Sequence, residues 1–73
     1  MNLNEPTQEN LKYILNELAE RLDIANRILV NDEDYDLNRY DELKYMYDVV
    51  VRKNQLSVSE KHAFIDELRS VRK

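Results

Sequence analysis

A chain of 73 residues with no glycine and one proline, Pro6, has few ways to reverse its direction sharply. Tight β-turns and left-handed helix caps draw mainly on glycine, so its absence argues against a hairpin-rich fold. Leu, Glu, Lys, Arg and Asn dominate instead, and most of these are good helix formers. Apolar residues make up 42% and charged residues 36%, which is too apolar and too regularly patterned for a disordered tail. The length suits one core and no second. Without cysteine, and with a single histidine, neither a disulfide framework nor a structural zinc is available to staple it. These features predict a single helical domain over residues 1–73, all-α and held by packing: a small antiparallel three-helix bundle.

The strongest periodicity is Leu11, Leu15, Leu18, Leu22, Ala25 and Leu29, a 4-3-4-3-4 spacing that lies on one helical stripe. Ile14, Ile28 and Ala19 widen it to the face of a bundle helix. A first helix over about 6–30 is predicted, with Pro6 in its first turn. The run Asn31 to Asp36 is acidic and rich in cap-forming residues, and reads as the connection. A second helix over about 37–53 would bury Leu37, Tyr40, Leu43, Met46, Tyr47, Val50 and Val51. Tyrosine and valine give residues 45–51 high β propensity, but a lone strand would have no partner, so the helix is preferred.

Ser57-Val58-Ser59-Glu60 matches a capping box and opens a third helix over about 58–72, with Val58, Phe64, Ile65, Leu68 and Val71 as its core face. Short connections favour an up-down-up bundle, with a helix-turn-helix arrangement as the competing topology. The first stripe would rise about 27 Å, roughly one turn more than the others. Its excess near Leu29 is then the expected contact of a homodimer.

Residues that could carry chemistry are few. Asp32, Asp34, Asp36 and Asn38 imitate the first ligands of a calcium loop, but Leu37 stands where glycine is needed and Leu43 where the bidentate glutamate belongs. An acidic turn capping the second helix is the better reading, and no cofactor or metal is expected. His62 has no nucleophile arrangement around it, and Lys61, near the centre of the third helix's apolar stripe, reads as a structural lysine whose ammonium reaches water or a carboxylate.

Surface chemistry is more informative. Tyr13 and Tyr45 are expected to point outward, and exposed tyrosine is enriched at protein interfaces. Net charge is −4 but divided: residues 1–50 hold five Lys or Arg against twelve Asp or Glu, while residues 51–73 hold six against three. Arg69 and Arg72 give the third helix a basic end, so Tyr13, Tyr45, Arg69 and Arg72 are the candidate partner-binding residues. Glu60, Asp66 and Glu67 interrupt that basic helix and argue against nucleic-acid binding through it, which stands as the alternative.

No apolar run approaches the length of a membrane span, and residues 1–10 do not read as a secretory signal, so a cytoplasmic setting is expected. Three segments carry a resemblance over essentially the whole length: Asn10-Leu11-Lys12-Tyr13-Ile14, Tyr40-Asp41-Glu42-Leu43-Lys44-Tyr45-Met46-Tyr47, and Leu56-Ser57-Val58-Ser59-Glu60-Lys61. Through them the chain resembles a family of short, acidic, uncharacterised helical proteins of Bacillus-type Gram-positive bacteria. The resemblance implies a bacterial, cytoplasmic protein and no activity or site residue. A non-enzymatic interaction or adaptor protein is the function expected from the residues themselves, with an unidentified protein partner.

Overall fold

The computed structural model describes residues 2–25, 30–53 and 55–72. Three α-helices, α1 (Gln8–Arg21), α2 (Tyr40–Lys53) and α3 (Val58–Ser70), form a small all-α bundle, the expected fold class. Short 3-10 turns occupy Asp32–Asp34 and Leu37–Arg39, and no β-strand occurs among the described residues. Residues 45–51 are helical, as preferred over the strand.

Thr7 starts α1 by accepting the Asn10 amide on its hydroxyl at 3.2 Å, so Pro6 stands ahead of the cap and not in the first turn. Asn10 is the one buried polar side chain among the described residues. Its Nδ2 donates to the carbonyls of Asn2, at 2.7 Å, and Glu5, at 2.9 Å, folding the leading segment back onto the helix.

The first helix is much shorter than its leucine stripe suggests. It ends at Arg21, with Leu22 as C-cap, and does not continue to Val30. Asp23 adopts a left-handed conformation, φ 55°, and donates its amide to the Glu20 carbonyl at 3.3 Å. The Ile24 amide reaches back to the Ala19 carbonyl at 2.8 Å, which completes a Schellman cap, and both apolar side chains are buried beside it. Leu22 therefore keeps its place in the core from a cap, while Ala25 is exposed. Ile28 and Leu29 lie outside the described residues.

This early stop changes the topology. The Tyr40 hydroxyl, at the start of α2, donates to the Leu3 carbonyl ahead of α1, and the Tyr47 ring meets Tyr13 one to two turns further on. Val50 lies by Arg21 and Asp23, where α1 ends. α1 and α2 thus run in the same direction. α3 runs against both, since Lys61 near its start meets Asp23 while Arg72 beyond its end meets Asp34. The order is up-up-down and not up-down-up. An up-down-up order assumes short links, whereas a chain that leaves α1 at Arg21 and enters α2 at Tyr40 has a long crossover that returns to the starting end.

Most of the core comes from α1 and α2, with Leu11, Ile14, Leu15 and Leu18 set against Tyr40, Leu43, Met46 and Val50. The crossover adds Ile24, Val30 and Tyr35, none of which belongs to the core faces read from the sequence. α3 buries only Leu68 within its length, followed by Val71, while Phe64 and Ile65 are partly covered. Val58 is 69% exposed and Leu37 37% exposed, so neither belongs to the core face expected of it. Both sit at the first residue of a helical turn, where the chain is still entering the bundle.

Candidate interaction surface

The four candidate residues do not come together on one face. Tyr13 is not outward: it lies in the α1–α2 seam with its ring edge-on to Tyr47, centroids 6.2 Å apart and planes at 64°. Its hydroxyl donates to Glu17 at 3.1 Å. Hydrogen bonding with Tyr47 and with the Glu17 carboxylate pushes its phenol up to about 12. The α1–α2 packing captures Tyr13 because Tyr13 and Tyr47 lie near the middle of two helices that pack side by side.

Arg72 is also engaged. Its guanidinium donates to Asp34 at 3.1 Å, and its backbone forms an antiparallel bridge with Tyr35. This clasp closes over the Tyr35 side chain, which is 2% exposed, and burial pushes that phenol up to about 12. Tyr35 sits among acidic residues in the sequence, and its burial had no periodic signal to announce it. Burial raises the Tyr40 phenol as well.

Other polar side chains of the crossover are likewise engaged. The Asn31 side chain accepts the Glu33 amide at 3.1 Å, Asp36 accepts the Asn38 amide at 2.9 Å, and Asp32 accepts the Gln8 side chain at 2.6 Å. They cap and tie turns. Lys61 behaves as a structural lysine, its ammonium resting on the Asp23 carboxylate. Glu60 closes the capping box with Ser57 and accepts Lys53 at 2.6 Å. Lys53 first, then the Ser57 amide, hold the Glu60 carboxyl down at about 2. His62 is exposed on α3 in a shallow depression with Ile65, Asp66 and Arg69.

Tyr45 and Arg69 are left on open surface. Tyr45 is 70% exposed on the outer side of α2, beside a groove of about 270 Å³ between α2 and α3. Met46, Val49, Ala63 and Phe64 line it with apolar atoms, and Glu42 and Glu67 stand at one end. Antiparallel packing creates that end, because it sets the late turns of α3 beside the early turns of α2. Val49 was not expected to contribute; lying one turn on from Tyr45, it was hidden in the Val49-Val50-Val51 run. Arg69 is exposed and has no ion-pair partner among the described residues. No helix among the described residues is long and apolar enough to cross a membrane.

Comparison with known proteins finds relatives that match over the whole length of the chain. A UPF0435 protein of Oceanobacillus iheyensis is 56% identical over 73 residues, covering all of both chains. Others from Halalkalibacterium halodurans and Listeria monocytogenes are 38% and 37% identical over 73 residues, again covering all of both chains. No solved structure matches. The family described as "Protein of unknown function (DUF1128)" matches residues 3–73, and the chain belongs to that family.

Proposed function

We propose that the chain is a non-enzymatic protein-interaction module and that the α2–α3 groove is its contact surface. The observation that carries this reading is Tyr45, a large aromatic left 70% exposed at the lip of a groove floored by Met46, Val49 and Phe64. Aromatic residues beside an apolar pocket are the usual anchors of protein interfaces, since a rigid ring buries much area at little entropic cost. The setting expected for such a module is the cytoplasm. The nucleic-acid alternative asks for a free basic helix. It is weakened by the pairing of Lys61 with Asp23 and Arg72 with Asp34, which leaves Arg69 as the exposed cation of α3 itself.

The test is affinity capture from a bacterial lysate with the full chain and with Tyr45→Lys, both checked for equal helicity. Interaction through the groove predicts one protein retained by the first and lost by the second. Equal recovery by both removes the groove from the interface. Binding to mixed DNA or RNA at low salt, abolished by Arg69→Glu and untouched by Tyr45→Lys, would favour the alternative.

A further inference from the structure

The exposed stripe of α2 has a chemistry that complements itself when reversed. Glu42, Tyr45, Val49 and Arg52 follow at intervals of three, four and three residues, which sets them within about 80° of arc on an α-helix. Glu42, Tyr45 and Arg52 are exposed and Val49 is half-buried at the edge of the groove. The order is acidic, aromatic, aliphatic, basic. Laid antiparallel on a copy of itself, the stripe sets Glu42 against Arg52 and Tyr45 against Val49, and the same two pairs recur beyond the centre. Glu67 strengthens the match, because it stands with Glu42 at one end of the groove and makes that end doubly acidic. Arg52 has no ion-pair partner among the described residues. The Arg39 to Glu42 pair is solvent-exposed and a weak competitor.

We infer that the occupant of the groove is a second copy of this chain, joined by a two-fold axis through the middle of α2. Each Tyr45 enters the other copy's groove against Met46 and Phe64, and each Arg52 faces the other copy's Glu42 and Glu67. Such a contact is isologous and closes at two subunits. A parallel pairing would set Glu42 against Glu42 and Arg52 against Arg52, so charge selects the antiparallel register. This deepens the reading of the groove as an interaction surface and rests on it.

Sedimentation of the full chain should give twice the monomer mass. Glu42→Lys alone and Arg52→Glu alone each set like charges in contact at both ends of the interface, and each should weaken the dimer on the order of tenfold or more. An equimolar mixture of the two variants restores both attractive pairs, and native mass spectrometry should show the mixed dimer in preference to either homodimer. Both positions are exposed, and circular dichroism verifies that the helices are retained. A chain that stays monomeric through the micromolar range overturns the inference. So does a dimer indifferent to both variants, or variants that fail to recombine. A monomer that nevertheless captures another protein through Tyr45 leaves the groove as the interaction surface and shows that its occupant is not a second copy.

Discussion

At residue 23 the backbone turns left-handed on an aspartate, the task for which helices most often use glycine. Aspartate tolerates that conformation better than most side chains, and here its carboxylate also receives Lys61 from α3. Asp23→Val should cost about 1–2 kcal/mol of stability from the backbone, while Asp23→Asn keeps the turn and loses less than about 1 kcal/mol. Urea midpoints of the two variants separate the contributions. Glu60 carries a second residue-scale consequence. Its carboxyl lies near 2 in the folded chain against an ordinary 4.5, so its stabilising effect is complete above pH 4.5 and is lost as pH falls toward 2. Glu60→Gln should flatten the stability profile across that window. At the alkaline end the sign reverses, because folding favours the neutral phenols of Tyr13 and Tyr35. Their contribution holds below pH 10 and fades as pH rises through 12, and a phenolate absorbance titration should show three of the five tyrosines, Tyr13, Tyr35 and Tyr40, ionising late, one fewer after Tyr35→Phe. The capping box and the structural role of Lys61 were legible because each depends on residue type at fixed spacing. Asp23 and Tyr35 were not, since a left-handed aspartate and an isolated buried aromatic leave no periodic trace.

Among the elements, α3 starts at its capping box and α2 ends at Lys53 as its periodicity has it, but α2 begins at Tyr40, behind the 3-10 turn Leu37–Arg39 that Asp36 caps instead, and α1 stops well inside its own stripe. The spacing of Leu22 fits a continuing helix and a Schellman cap equally well, and burial of Ile24 and Val30 in the crossover decides for the cap. Local pattern is blind to that competition because its deciding contacts are tertiary. The same reasoning explains Val58 and Leu37, which fall on apolar faces by angle but lie where the chain enters the bundle. Start signals were clearer than stop signals, and the start of α1 has an added brace. Asn10 holds the carbonyls of Asn2 and Glu5 while Tyr40 holds that of Leu3. Asn10→Ala should destabilise the chain by about 1–2 kcal/mol and release residues 2–6, read as faster amide exchange there with α3 unchanged.

Across the whole molecule, the all-α class followed from composition and periodicity, and the radius of gyration, 11.2 Å, is that of a compact domain of this length. The direction of the helices did not follow, because it depends on how long the first connection is, and that length was set by the cap at Asp23. The α2–α3 groove was only half legible for the same reason: Tyr45 could be placed on an outer face, but the neighbour that turns the face into a groove comes from the topology. The parallel arrangement of α1 and α2 also governs how fast the molecule can assemble. Its defining contacts join Leu3 to Tyr40 across 37 residues, and Asp23 to Lys61 and Asp34 to Arg72 across 38 each. A bundle of short helical hairpins nucleates from neighbours, whereas this chain must close several large loops before any of those contacts rewards it. Refolding followed by tyrosine fluorescence should therefore be slower than for an up-down bundle of equal length and limited by chain encounter. Substitutions in the contacts between crossover and helices should show up mainly in the unfolding rate, leaving the search that precedes them unchanged.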